Sequence, residues 1–206
     1  AEAYAGAGYP GDAEAILLCE LDGSTDEVSE LITQVRTVVN NHAPLHISVA
    51  SDATERARLW LGRKNAFPAV GRIAPDYYCM DGSVPRHAIG RVLSEITRLS
   101  KVYQLPVANV FHAGDGNLHP LVLYDANREG ELRRAETLGG KILEYCVAVG
   151  GTVTGEHGVG VEKLDQMCVQ FGEAELNQFH RLKAAFDPGA LMNPGKAIPE
   201  LARCSE

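Results

Sequence analysis

Val107-Ala-Asn-Val-Phe-His-Ala-Gly-Asp-Gly-Asn-Leu-His-Pro-Leu-Val-Leu-Tyr124 is the stretch on which the fold turns. The runs Val107 to His112 and Leu118 to Tyr124 are rich in strand formers, and Asp115-Gly116 between them is a strong two-residue hairpin signal. With those two residues as the loop, Gly114 pairs with Asn117, Ala113 with Leu118, and His112 stands directly opposite His119. Directly opposed residues share one face of a sheet, with Cβ atoms about 4.5–5.5 Å apart. Two neutral imidazoles at that separation can chelate one divalent ion.

A third ligand is then needed, and Glu156 is the candidate. It closes Gly151-Thr-Val-Thr-Gly155, which reads as a strand leaving a helix that ends near Gly150. Two histidines and a carboxylate make a common open metal site. Neighbours on a regular strand point to opposite faces, so Glu156 and His157 share one ion only if the backbone bends. Glycines at 155, 158 and 160 permit bending and close approach, leaving His157 to act as acid or base beside the metal. His42, His46, His87 and His180 have no second ligand predictably near them and read as ordinary side chains.

Working outward, Ala15 to Leu21 reads as a buried strand, and Ser24 with Glu27 as a capping box. Val28, Leu31, Ile32, Val35, Val38 and Val39 follow at helical spacing. Leu45, Ile47 and Val49 alternate as a strand, and Asp52 caps a helix running to about Phe67. Residues 1–76 therefore read β-α-β-α. A short strand at Tyr77 to Met80, a helix through Ile89, Val92, Leu93, Ile96 and Leu99, the histidine hairpin, a helix from Glu131 to Val149 and the strand at Gly151 give 77–160 the order β-α-β-β-α-β. That is the order of a ferredoxin-like split unit. Residues 161–206 read as C-terminal helix followed by a punctuated turn at Asp187-Pro-Gly-Ala-Leu-Met-Asn-Pro-Gly-Lys196. The fold class expected is α+β, a ferredoxin-like antiparallel sheet with helices packed on it, in two related subdomains.

With 206 residues and 45% hydrophobic content the chain can bury a sizeable core. A net charge of -8 argues against nucleic-acid binding. No apolar run approaches the roughly 20 residues of a membrane span. Five scattered cysteines form no C-x-x-C pair, which suggests neither a disulfide framework nor a thiolate zinc site and points to a reducing cytoplasm. The chain begins Ala1-Glu2-Ala3 without an initiator methionine and reads as part of a longer protein. There is no Walker loop, no complete dinucleotide fingerprint and no Gly-x-Ser-x-Gly elbow.

His112-Ala-Gly-Asp-Gly-Asn-Leu-His-Pro120, Gly151-Thr-Val-Thr-Gly-Glu-His-Gly-Val-Gly160 and Asp187-Pro-x-x-x-Met-Asn-Pro-Gly-Lys196 together resemble the C-terminal domain of FAD-linked 2-hydroxy-acid oxidoreductases of the vanillyl-alcohol-oxidase type. The resemblance covers 1–206, and Pro75-Asp-Tyr-Tyr-Cys-Met-Asp81 with Pro85-Arg86 points to the glycolate-oxidising branch. It implies that a separate N-terminal FAD-binding domain, absent from this chain, carries most of the flavin site while this domain caps it and binds substrate. It also implies that His112, His119 and Glu156 hold a divalent metal (zinc, manganese or iron) and that His157 is the catalytic base. Arg63, in Leu59-Trp-Leu-Gly-Arg63, matches the family's substrate-carboxylate arginine, and Asn193 lies where the family chain returns toward the flavin. Leu121 replaces an asparagine found in the 2-hydroxyglutarate branch, which favours a short acid such as glycolate or D-lactate.

The function expected is oxidation of a short 2-hydroxy acid to the 2-oxo acid, by a fragment inactive without its FAD domain. Further oxidase subunits, including an iron-sulfur subunit, are implied as partners, with a cytoplasmic location or a peripheral one at the inner face of the membrane. The residues alone leave two alternatives open: a metal-dependent hydrolase, and a non-catalytic ferredoxin-like assembly module with structural zinc.

Overall fold

The computed structural model describes residues 1–205, and the sheet among them is built from β1 (Asp76–Cys79), β2 (Gly82–Ser83), β3 (Val107–His112) and β4 (Asn117–Tyr124). All pairings are antiparallel: β3 lies along one edge of β4, and β1 and β2 along the other. Asn117 to Leu123 are all buried, as befits a central strand, and their sequence is accordingly an almost unbroken apolar run.

β1 and β2 keep a single register against β4. Cys79 faces Leu121 and Gly82 faces Leu118, so Met80 and Asp81 fall opposite Pro120 and His119. The Met80 N–H donates to the Pro120 carbonyl at 3.2 Å, but proline has no N–H to return. The ladder breaks there, and one strand becomes two short ones.

The hairpin loop has four residues, Ala113 to Gly116, rather than the two expected. His112 pairs with Asn117, and Val110 with His119. The Gly116 N–H donates to the His112 carbonyl at 3.1 Å, and the Asp115 carboxylate accepts the Asn117 N–H at 3.1 Å. Gly116, at φ 80°, accepts the Val84 N–H at 3.0 Å, and a Cβ there would collide with the Val84 carbonyl. Docking on the segment after β2 thus fixes the loop, a long-range contact that the Asp-Gly pair does not encode. His112 and His119 become diagonal neighbours on one face, still within reach of long side chains.

Two helices cover the opposite face. Val92, Ile96 and Leu99 of α5 (Ile89–Tyr103) and Ala135, Leu138, Ile142 and Cys146 of α6 (Glu131–Ala148) pack with Leu118 and Val122 of β4. Alternation along the strands then puts Cys79, Asp81, Asn117 and His119 on the face away from this layer. After α6 the expected closing strand is reduced to one bridge, Thr152 to Ser83. Beyond it, the backbone N–H groups turn toward Asp81 instead of extending a ladder. Met167 of α7 (Leu164–Gln170) and Leu176 of α8 (Glu173–Phe186) form a smaller core with Val153.

All of this lies in the second of two compact units, which begins at Val70. The first, Ala1–Ala69, corrects the β-α-β-α expectation for 1–76: it holds α1 (Glu2–Ala5), α2 (Thr25–Asn40) and α3 (Ala53–Lys64) and no strand. A further short helix, α4, spans Ala66–Val70. Ser24 and Asp52 cap α2 and α3 as the sequence indicates. Ala15 to Leu21 and Leu45 to Val49, however, pair with nothing as strands, and Ile16, Leu17 and Leu45 are exposed. Alternation marks a segment able to bury one side; a strand also needs a ladder partner.

Cys168 and Cys204 form a disulfide, although the scattered cysteines suggest no disulfide framework. Packing of α7 against the 3₁₀ turn Leu201–Ser205 brings their Cα atoms to 5.2 Å across 36 residues, a proximity invisible in the spacing. The cysteine pattern therefore no longer argues for a reducing compartment. No helix among the described residues is long and apolar enough to cross a membrane.

Candidate metal centre and its backbone clamp

The candidate ligands converge. His112, His119 and Glu156 each offer a ligand atom within 4.8 Å of the others. His119 Nε2 lies 2.9 Å from Glu156 Oε1, and the His112 and His119 rings meet edge to face with centroids 5.5 Å apart. His157 stacks on His119 at 4.8 Å, with its Nε2 3.6 Å from the same Glu156 oxygen. β3 and β4 supply the first two ligands; the bend after Thr152 supplies Glu156 and His157.

That bend has a specific cause. Asp81 Oδ2 accepts the N–H groups of Gly155 at 3.0 Å, Glu156 at 3.1 Å and His157 at 2.8 Å, and the Thr154 hydroxyl at 2.8 Å. The Thr154 hydroxyl oxygen in turn accepts the Gly158 N–H at 2.9 Å. Three successive amides on one oxygen form an anion-binding nest, here filled by a side chain of the protein itself. Consecutive residues in such a curl need not alternate faces, so Glu156 and His157 both reach His119. A Cβ at Gly155 would collide with the Asn117 side chain, so this position must be glycine for the curl to sit against β4.

Asp81 is fully buried, and so is its counter-charge. Lys163 Nζ donates to the Asp81 main-chain oxygen at 2.8 Å and lies 3.4 Å from Oδ2. Burial alone would raise the Asp81 pKa. The His157 amide, the Thr154 hydroxyl, the Glu156 amide and the Lys163 charge outweigh it and hold the carboxyl well below the usual range. Burial likewise pulls the Lys163 pKa down, against the opposing pull of Asp81.

The donor set fits a divalent ion. Burial, with the nearby His157, holds the His119 pKa below its ordinary value despite Glu156, which favours the neutral imidazole that a metal requires. Two buried polar atoms here, Asn117 Oδ1 and His119 Nδ1, have no hydrogen-bond partner among the described residues. Ligands at roughly 2.1 Å from one ion lie up to about 4 Å apart, so the trio closes on an ion with small side-chain shifts.

Beside His157 lies a cavity of about 270 Å³ lined by Cys79, the loop from Gly158 to Lys163, and Lys196. The Ala197 N–H donates to the Gly160 carbonyl at 2.8 Å and ties the Asn-Pro-Gly-Lys turn to that loop. Asn193 sits in this turn at φ 48°, a left-handed conformation that asparagine tolerates. Asp187 organises the turn by accepting the Leu191 and Met192 N–H groups, both at 2.9 Å. Arg63 lies on the last turn of α3 in the first unit, not on the elements that build the cluster.

Sequence reasoning missed Asp81, Lys163, Asn117, Cys79 and Lys196 as site residues. A signal for Asp81 existed: Pro120 in a central strand requires a break opposite it, and Asp81 falls at that break. Lys163 gave none.

The sequence matches the family described as FAD linked oxidases, C-terminal domain, over residues 1–197. The chain belongs to this family. Among family relatives, it is 61% identical over 206 residues to the glycolate oxidase subunit GlcD of Escherichia coli strain K12, covering 100% of this chain and 41% of that protein. GlcD of Bacillus subtilis strain 168 is 33% identical over 202 residues, covering 98% and 43%. The mitochondrial cytochrome-type D-lactate dehydrogenase of Arabidopsis thaliana is 31% identical over 185 residues, covering 89% and 33%. The chain thus spans less than half the length of these relatives. A 4-ethylphenol oxidase from Gulosibacter chungangensis, in complex with isoeugenol, shares the fold, with a TM-score of 0.57 at 18% identity over 87% of this chain and 38% of that one.

Proposed function

We propose that this domain is the substrate- and metal-binding half of a flavin-dependent oxidoreductase that converts a short 2-hydroxy acid, of the glycolate or D-lactate class, to the 2-oxo acid. One observation carries the reading: His112, His119 and Glu156 converge, and His157 is stacked on the buried His119 beside a cavity of a size for a small acid. Membership in an FAD-linked family favours this over a metal-dependent hydrolase.

Oxidation at C2 removes a proton from the hydroxyl oxygen and a proton with two electrons from carbon. His157 takes the hydroxyl proton. The divalent cation that His112, His119 and Glu156 would hold, zinc, manganese or iron, would supply Lewis acidity, and FAD, chiefly on a preceding domain, would supply the acceptor for the hydride. Asp81 fixes where Glu156 and His157 stand, so neither has to be ordered during the reaction. Arg63 is proposed to bind the substrate carboxylate, and Asn193 is proposed to approach the flavin. Partner oxidase subunits, an iron-sulfur subunit among them, would pass the electrons on.

In the full flavoprotein, His157→Ala is expected to lower hydroxy-acid turnover about 10²–10⁴-fold while leaving flavin and metal content unchanged. His112→Ala and Glu156→Gln are expected to lose both metal and turnover. Full turnover in His157→Ala, or metal content unchanged in both ligand variants, would overturn the assignment.

A further inference from the structure

His119 and His157 also belong to a second constellation, completed by Cys79, which the proposed reaction does not use. Cys79, His119 and His157 also offer one ligand atom each within 4.8 Å of one another. Register explains why: Cys79 lies two residues before Asp81, on the same face of the sheet as His119, and the clamp brings His157 over that face. The Cys79 thiol is not in a disulfide, and its contact to the Met80 carbonyl is a long one, 3.8 Å. His119 is 3% exposed; its Nε2 faces Glu156, while Nδ1 has no hydrogen-bond partner among the described residues. Cys79 and His157 both line the 270 Å³ cavity, which gives an ion a way in and room for a fourth, non-protein ligand.

We propose that Cys79, His119 and His157 form a second cation site, selective for thiophilic divalent ions such as zinc and cadmium. One thiolate and two imidazoles are a soft donor set, whereas two imidazoles and a carboxylate accept harder ions such as manganese. Binding replaces the thiol proton, which leaves to solvent, and a ligated His157 can no longer accept a proton from substrate. The same centre is therefore supported by a hard ion and inhibited by a soft one. The inhibition rests on the oxidoreductase reading; the site itself does not.

The test is a cadmium titration of the full chain carrying Cys19→Ser, which removes the exposed free thiol. Binding is read by the ultraviolet thiolate-to-cadmium charge-transfer band. We expect a saturable band at one equivalent, lost in Cys79→Ser, retained in His112→Ala, and shifted to at least about tenfold higher cadmium in His157→Ala. Cadmium NMR of the chain with Cys79 intact reads sulfur in the coordination shell directly, so the proposal stays falsifiable if Cys79→Ser does not fold. Cadmium binding without a sulfur signature, a band that survives Cys79→Ser, or a band lost in His112→Ala would each overturn it. Manganese resonance in Glu156→Gln tests the other ligand set separately, and failure there leaves the cadmium band unaffected.

Discussion

The two units of this chain are held together by different means. In the second, Leu118, Val122, Leu138 and Ile142 are at most 2% exposed, and the site is built on the sheet they support. In the first, α2 has no fully buried residue, the buried side chains are small (Ala7, Ala66 and Ala69), and polar ties stand out: Glu2 accepts the Gly8 and Tyr9 N–H groups, both at 3.0 Å, and Arg58 donates to the Ala7 carbonyl at 2.6 Å. The difference separates two things a sequence encodes. Local signals such as caps form helices without a core, whereas a functional site with fixed geometry is placed where burial over-determines the backbone.

The sharpest way to break that contrast is Asp81→Asn. It leaves Lys163 buried without a counter-charge and weakens four hydrogen bonds to the Thr154–His157 curl, so a loss of about 3–5 kcal/mol is expected in denaturant unfolding, together with loss of bound metal. Removal of the exposed pair of Arg56 and Glu20 in the first unit is expected to give no measurable change in the same unfolding experiment. The sign of the pH effect follows from the depressed Asp81 pKa. Its contribution is fully present above the unfolded value of about 3.9 and is lost as pH falls through the folded value. Wild type should therefore lose stability on acidification below about pH 4 more steeply than Asp81→Asn, measured by thermal unfolding; parallel acid limbs would refute the role given to the clamp.

Next in size is the core itself. Leu138→Ala, at a side chain with no exposure, is expected to cost about 2–5 kcal/mol and to lower metal occupancy only in proportion to unfolding. Leu17→Ala, at a residue 72% exposed, is expected to stay within about 0.5 kcal/mol. Equal losses at the two positions would show that the first unit is as well packed as the second.

The same contrast marks how far the sequence could be read. The histidine hairpin, α5 and α6 were legible because each buries an apolar face at its own period, and the sheet they share is local in sequence. Ala15 to Leu21 and Leu45 to Val49 have the strand pattern but no ladder partner, and periodicity carries no information on partners. The convergence of His112, His119 and Glu156 was legible although the hairpin register was not: moving His112 from opposite His119 to diagonal leaves both on one face, so the error cancelled. Asp81 and Lys163 were not legible, because they meet 82 residues apart through a strand break and a bend. The site's chemistry lay in local motifs, whereas the clamp that positions it depends on long-range geometry.

The smallest effect tests the first unit on its own terms. Ser24 accepts the Glu27 N–H at 3.4 Å, and Glu27 returns to the Ser24 N–H at 2.8 Å, a reciprocal box at the start of α2. Since Val28, Leu31, Ile32, Val35 and Val39 of α2 are only half-buried and none is fully buried, this cap is a large share of what favours the helix. Ser24→Ala should remove about 1 kcal/mol of helix stability, visible as faster amide exchange through the first turns of α2, with no change in exchange at β4 or in metal content. In a helix anchored by a core, the same substitution would leave exchange beyond the first turn untouched. Slowed or unchanged exchange throughout α2 would mean that burial holds it after all, and the distinction between a capped unit and a packed one would fail.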